Sequence, residues 1–264
     1  MGQKSKIEWT DATWNPTTGC TKVSAGCENC YAHALANGRL TAAYLRRLPV
    51  IQSTENMADP FAVRLWPERL REPAKWKDSR MIFVNSMSDL FHADIPDEFI
   101  EQIFEVMLTE DHHIYQVLTK RPARMGRFIK KHLSLFENAQ VPAHIWMGTS
   151  VENQKVAYRV EHLRRVPVAV RFLSCEPLLG PMTLDLTGIH WVIGGGESGI
   201  GYRRCDEKDA LLLRDQCGAA GVPFFWKQWG GRTPKAGGRV LDGRTWEEMP
   251  LPGWMPLELA AAPT

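Results

Sequence analysis

RMIFVNSMSDLF, residues 80–91, runs through four apolar residues, Met81 to Val84, and then turns polar at Asn85, Ser86, Ser88 and Asp89. An apolar run without alternation is the pattern of a strand covered on both faces, and the break after it places hydrophilic side chains at the strand's C-terminal end. PDEFIEQIFEVMLTE (96–110) follows, with Phe99, Ile103, Val106 and Met107 at helical spacing and acidic residues in the first turn. The same grammar recurs downstream. HIYQVLTKR (113–121) precedes PARMGRFIKKHL, HIWMGTSVEN (144–153) precedes a helical pattern through Arg165, and VRFLSCEPLLG (170–180) precedes a shorter connection. HWVIGGGES (190–198) precedes DEKDALLLRDQCGAAG, which ends on a glycine suited to a helix C-cap, and PFFWKQWGG (223–231) comes last. Upstream, PFAVRLW (60–66) before PERLREPAKW reads as another unit. The segment from Ile7 to Asn15 reads as the first strand, ahead of a cysteine-rich loop and a helix through about Arg46.

About eight strands alternating with helices predict an α/β fold with a parallel sheet. The expected architecture is a single-domain parallel (β/α) barrel over residues 1–250, either TIM-like with eight strands or a partial barrel of about six. It carries an N-terminal cysteine-rich loop at 19–31, and the Pro- and Ala-rich residues 251–264 form a loosely ordered tail. A barrel is preferred to a doubly wound sheet because polar residues close nearly every run. In a parallel barrel these residues converge at the C-terminal mouth, where active sites lie. The converging set is Asn15, Ser86, Ser88, Asp89, Thr119, Lys120, Arg121, Ser150, Glu152, Ser174, Cys175, Glu176, Gly194 to Gly196, Glu197, Lys227 and Gln228.

The bulk of the 264-residue chain excludes several classes. It is 44% hydrophobic and 23% charged, ordinary for a globular protein, and it has no apolar run near 18 residues that would span a membrane. The N-terminus lacks the apolar stretch of a signal peptide, so a cytoplasmic location, with reduced thiols, is expected. The net charge of +2 is too mild to demonstrate a nucleic-acid partner. TKRPARMGRFIKK (119–131) carries six basic residues and no acidic one, and reads either as a phosphate-binding patch or as a solvated helix face. Trp191, Trp226 and Trp229, among ten tryptophans, are candidates to stack on bases, although core packing is the commoner use of indoles.

GCTKVSAGCENCYA (19–32) sets Cys20, Cys27 and Cys30 at C-x6-C-x2-C spacing. In a reducing compartment such a cluster reads as ligands rather than disulfides. Two readings stay open. A structural zinc site needs four ligands, which His33 would complete as Cys3His. Alternatively, three thiolates hold a [4Fe–4S] cluster with one iron free. In radical enzymes that iron binds S-adenosylmethionine (SAM), whose one-electron cleavage supplies a 5′-deoxyadenosyl radical; the protein positions and shields this chemistry. A third reading, a metal-assisted hydrolase using Asp89, Glu152, Glu176 and Glu197, finds no paired histidine ligands. Cys175, at a strand end, is a candidate hydrogen-atom donor or redox thiol, or simply a small buried residue. IGGGESG (193–199) reads as a tight loop letting backbone approach a ligand.

WNPTTGC, CENCYA, FVNSMSDLFH, QVLTKRP, SVENQ, RFLSCEPLLGP, WVIGGGESG, FFWKQWGG and LDGRTWEEMP together resemble the phage-associated family named after phage gene products thirty-seven and sixty-eight. That family is regarded as radical-SAM-like for its three-cysteine motif and is often encoded beside a partner protein. The resemblance implies a radical-SAM-type barrel in which Cys20, Cys27 and Cys30 bind the [4Fe–4S] cluster, a reductant protein supplies electrons, and SAM is the second cofactor. The radical SAM superfamily includes DNA-lesion-repairing spore photoproduct lyases, which by analogy suggests a nucleic acid or nucleotide substrate undergoing modification or repair. With strand-end position, the resemblance implies that Asn15, Ser86, Ser88, Asp89, Glu176, Gly195, Gly196 and Glu197 serve the SAM pocket. It further implies that Lys120, Arg121, Gln228 and Trp229 face the substrate and that Cys175 and Lys227 act in catalysis. The competing expectation is a zinc-stabilised nucleic-acid-binding protein without radical chemistry.

Overall fold

In a computed structural model, which describes residues 5–250, the apolar runs become seven parallel strands in one sheet. The strands in chain order are β1 (Ala12–Trp14), β2 (Thr17–Thr18), β3 (Arg64–Leu65), β4 (Met81–Val84), β5 (Ile114–Thr119), β6 (Ile145–Ser150), β7 (Arg171–Cys175), β8 (Trp191–Gly194) and β9 (Phe224–Trp226). The helices are α1 (Tyr31–Ala36), α2 (Thr41–Leu45), α3 (Thr54–Ala58), α4 (Asp97–Thr109), α5 (Pro122–Lys131), α6 (Arg159–Arg164) and α7 (Glu207–Ala220). The main sheet runs β1-β4-β5-β6-β7-β8-β9, every neighbouring pair parallel.

The strand order never reverses. With right-handed crossovers, an unreversed order puts every connection on the same face, and the twisted sheet curls around the other. The result is a half-barrel, with β1 and β9 at its edges. A backbone bridge from Phe225 to Glu247 lays the chain after residue 244 antiparallel along the β9 edge. The family of folds expected from the sequence is thus the observed one, in its partial form.

Alternation along the strands splits the core in two. Ile82, Val84, Val117, Met147, Leu173, Val192 and Trp226 face outward and pack with Ile103, Phe104, Phe128, Leu163 and Leu213 of the helices. Trp9, Phe83, Trp146, Phe172, Trp191 and Phe225 fill the concave face. Fully burying a side chain of this size stabilises the fold by about 1.5–3 kcal/mol. The Phe172 ring lies so close over Gly148 that a Cβ there would sit 2.5 Å from it. Residues 176–190 connect β7 to β8 without a helix and bury Leu178, Met182, Leu184 and Ile189 against the outer layer instead.

Three expectations are corrected. PFAVRLW does not join the sheet: Arg64 and Leu65 pair antiparallel with Thr17 and Thr18 in a separate ribbon. Arg64 is fully buried and donates to the Arg47, Ala62 and Asp59 carbonyls, so it organises the segment around it. The single helix expected through Arg46 is broken at Asn37-Gly38-Arg39 into α1 and α2. The helix after β6 spans only Arg159–Arg164, after a 3-10 turn capped by Asn153. Among the described residues no helix is long and apolar enough to cross a membrane. The expected tail at 251–264 lies outside the described residues.

Candidate functional site

The C-terminal ends of the strands carry four acidic side chains, and each is matched by a basic one. Asp89, after β4, pairs with Arg121, after β5, at 2.9 Å. Glu152, after β6, is fully buried and pairs with Arg159 of α6 at 3.0 Å. Glu176, after β7, pairs with Lys227, after β9, at 2.6 Å. Glu197, after β8, pairs with Arg203. A carboxylate engaged in this way is a poor free ligand for a divalent cation, which counts against the hydrolase reading.

Three of the four pairs grip the cysteine loop. Arg121 donates to the Cys20 sulfur at 3.3 Å and to the Thr21 carbonyl at 3.0 Å. The Glu152 carboxylate accepts from the Gly26 amide at 3.1 Å, and a Cβ on Gly26 would press against the Glu152 side chain at 3.0 Å. Glu197 accepts from Asn29 at 2.9 Å, while Arg203 donates to the Ala25 carbonyl at 2.9 Å. The loop therefore lies across the mouth with anchors on both sides and beneath. Burial raises the Glu152 pKa, but the Ser24 hydroxyl, the Arg159 charge, the Gly26 amide and Lys120 pull harder, so it stays below the ordinary carboxylate value. Burial likewise opposes ionisation of Glu197, and hydrogen bonds from Arg203 and Asn29 outweigh it, holding that pKa down.

All three loop cysteines are free thiols and half-buried. Burial, then the Asp89 charge, push the Cys20 thiol up to about 11, with Arg121 acting in the opposite direction. A coordinated thiol is deprotonated by its metal, whereas in the metal-free protein the Cys20 thiol is held in its neutral form. Among the described residues no three His, Cys, Asp or Glu side chains converge on a single ion position. Three thiolates are a soft donor set, which both zinc and an iron–sulfur cluster take. His33, the proposed fourth zinc ligand, lies edge-on to Phe61, with ring centroids 5.3 Å apart.

The open part of the mouth is lined by inward-facing positions. Lys120 reaches Ser150 at 3.4 Å, and Lys227 holds Glu176. Tyr31, at the start of α1, donates its hydroxyl to the Ser86 carbonyl. Desolvation, then the Cys30 and Glu176 charges, raise the Tyr31 pKa, although the side chain as a whole is exposed. A Cβ on Gly195 would meet Glu176 only at 3.5 Å, so this glycine leaves ordinary space in the mouth.

Other predicted site residues have structural work. The Asn15 side-chain oxygen accepts from the Met87 amide at 2.9 Å and from Ser86 at 3.2 Å, and Ser88 bonds Thr17 at 2.7 Å, tying β1's exit to β4's. Gly196 is required by a backbone approach: a Cβ there would lie 2.0 Å from the Trp229 carbonyl oxygen. Gln228 is buried and bonds Ser198 at 2.6 Å, bracing the glycine loop rather than facing substrate. Trp229 packs against Trp226, centroids 4.8 Å apart, and donates to the Val240 carbonyl. Trp191 and Trp226 are fully buried and present no face to a base. Cys175 belongs to the outer layer beside Cys217, because alternation from Phe172 turns it toward the helices; burial drives its pKa well up. It is a core thiol, not a mouth residue. Of the basic segment after Thr119, Arg124 and Lys131 pair with Asp97, and Arg121 belongs to the loop clamp.

Arg203, Asn29, Arg159 and Tyr31 were not singled out from sequence, since their roles depend on partners 6 to 178 residues away. Asn85 is the other surprise. It adopts φ 61°, is buried, and neither polar atom of its amide has a partner in the protein. Leaving such a group unsatisfied costs about 1–3 kcal/mol, so it is a natural place for a bound polar group.

The fold and the loop-bearing mouth together define an α/β half-barrel protein with a thiol-rich strand-end site. A sequence family described as "Protein of unknown function (DUF5131)" matches residues 4–250, and the chain belongs to that family. A search of curated proteins found no significant match. Among solved structures, one described as "Spore photoproduct lyase complexed with dinucleoside spore photoproduct" is similar at TM-score 0.47 and 12% identity, covering 81% of this chain. The chain spans 62% of that structure's length.

Proposed function

We propose that the protein is a radical-SAM-like iron–sulfur enzyme in which Cys20, Cys27 and Cys30 hold a [4Fe–4S] cluster at the barrel mouth, acting on a nucleic acid or nucleotide. The observation that carries this reading is the clamping of one three-thiol loop by three separate carboxylate–arginine pairs directly over the strand ends. A loop needed only as a connection would not require three ion pairs to fix its thiols.

Bound there, the cluster with SAM would supply one-electron reductive cleavage and a carbon-centred radical. The chain's own groups supply the rest. Arg121 donates to the Cys20 sulfur and neutralises Asp89 beneath it. The Glu176–Lys227 pair at the strand ends and Tyr31, next to Cys30 in the chain, offer a carboxylate, an ammonium and a hydroxyl, a set suited to the amino, carboxylate and ribose groups of SAM. The unpartnered Asn85 amide can serve a further polar group. Lys120, bonded only weakly to Ser150, is available for a phosphate. The concave core of Trp146, Phe172 and Trp191 closes the barrel below and keeps water from that side.

Anaerobic reconstitution with iron and sulfide tests this directly. About four irons per chain are expected, with a reduced EPR signal that changes on adding SAM, and loss of iron in Cys20→Ala, Cys27→Ala and Cys30→Ala. One tightly held zinc, with no iron uptake, would remove the radical mechanism and leave a zinc-stabilised binding protein.

A further inference from the structure

Beyond the mouth, the loops following β8 and β9 form a continuous surface. Their backbones pair: the Gly199 amide donates to the Gly231 carbonyl and the Gly231 amide to the Glu197 carbonyl, each at 2.9 Å. Residues 198–205 and 228–241 together hold five basic residues, Arg203, Arg204, Arg232, Lys235 and Arg239, and no carboxylate. Two of the five are spoken for, Arg203 by Glu197 and Arg239 by Glu247. Arg204, Arg232 and Lys235 are exposed. On the same loops Ile200 is 91% exposed and Tyr202 37%. The surface adjoins the cysteine loop, since Asn29 donates to the Gly201 carbonyl at 3.0 Å.

Cations alone would attract any polyanion. Cations interleaved with an exposed aromatic ring and an aliphatic side chain, on a glycine-rich backbone that lets a ligand come close, match a strand with phosphates and flat bases. We infer that the paired β8 and β9 loops are a docking rim for a single-stranded or unpaired polynucleotide, with Arg204, Arg232 and Lys235 on phosphates and Tyr202 stacking on a base. This deepens the function proposed above and rests on it for the fate of the strand. Docking itself needs no cluster. An acidic protein segment is the competing occupant, but it offers no flat face for Tyr202.

The test is a fluorescence-anisotropy titration of the full chain, metal-free and reconstituted, with a labelled single-stranded 12-mer at several salt concentrations. The expected result is salt-dependent binding in both forms. In the triple variant Arg204→Ala/Arg232→Ala/Lys235→Ala, the slope of log affinity against log salt should shrink by about 2, the value for three lost phosphate contacts. Tyr202→Ala should weaken binding at least about fivefold at unchanged salt slope. The inference is overturned if the wild type does not bind at low salt or if the triple variant binds equally. It is also overturned if poly-glutamate of equal charge competes as well as the oligonucleotide. Iron uptake measured alongside keeps the two ideas apart: normal iron with lost binding in the triple variant supports the rim, and absent iron in a wild-type chain that still binds the oligonucleotide strikes only the cluster.

Discussion

Replacing Glu152 by alanine breaks two contacts at once. Its carboxylate is fully buried, 3.0 Å from Arg159 and 3.1 Å from the Gly26 amide. Removing one member of a buried ion pair costs about 3–5 kcal/mol, because the other charge stays out of water without a partner. For a chain of this size each kcal/mol lowers Tm by about 2–4 °C, so Glu152→Ala should melt roughly 6–20 °C below wild type by circular dichroism. Glu152→Leu/Arg159→Met, which removes both charges, should recover most of that loss. The pH dependence has a definite sign. The folded pKa of Glu152 lies below its unfolded value, so the pair's contribution is fully present above the unfolded pKa and is lost as pH falls through the folded one. The Gly26 contact adds a local signature, faster modification of the loop thiols by a disulfide reagent in Glu152→Ala well below its Tm. A Glu152→Ala protein that melts within 2 °C of wild type and reacts at the wild-type rate would refute the reasoning that this carboxylate anchors the cysteine loop.

Other expectations follow from the same geometry. In the metal-free protein, Cys20 alkylation followed by mass spectrometry should keep accelerating toward pH 11, and Arg121→Ala should slow it at a given pH, since Arg121 lowers the Cys20 pKa. Gly196→Ala should destabilise the protein by at least about 1–3 kcal/mol in urea, because its Cβ would meet a backbone oxygen at 2.0 Å. Gly218→Ala, in α7 with open space around it, should instead stabilise by about 0.5–1 kcal/mol. Cys175→Ala should cost stability and leave iron uptake unchanged, as expected for a thiol in the helix-facing core.

The sheet was legible because its strands are covered on both faces. Runs such as Met81–Val84 and Trp191–Gly194 are apolar throughout, and each ends in residues that water or a site must satisfy. PFAVRLW failed as a sheet strand because the same apolar content also serves a ribbon built around buried Arg64, and composition does not distinguish the two. The cysteine loop declared itself through spacing. What held it did not, because Glu197, Arg203 and Glu152 act on residues over a hundred positions away. Strand-end position located the mouth but not the direction of each side chain. Ser174 and Glu176 alternate inward, and Cys175 between them turns out. The glycine run was read as room for a ligand; at Gly196 the space is taken by the Trp229 backbone, whereas Gly195 stays open.

The clamps also impose a timetable. The thiols are made first and their anchors last: Arg203 lies 178 residues after Ala25, to which it bonds. At about 5–20 residues per second, a ribosome needs roughly 10–40 s to bridge that gap, and until it is bridged the C-x6-C-x2-C segment lacks the last of its three clamps. If the loop holds the cluster proposed for it, loading is expected after residue 203 has been made, and pulse-labelled chains truncated before that residue should hold iron poorly.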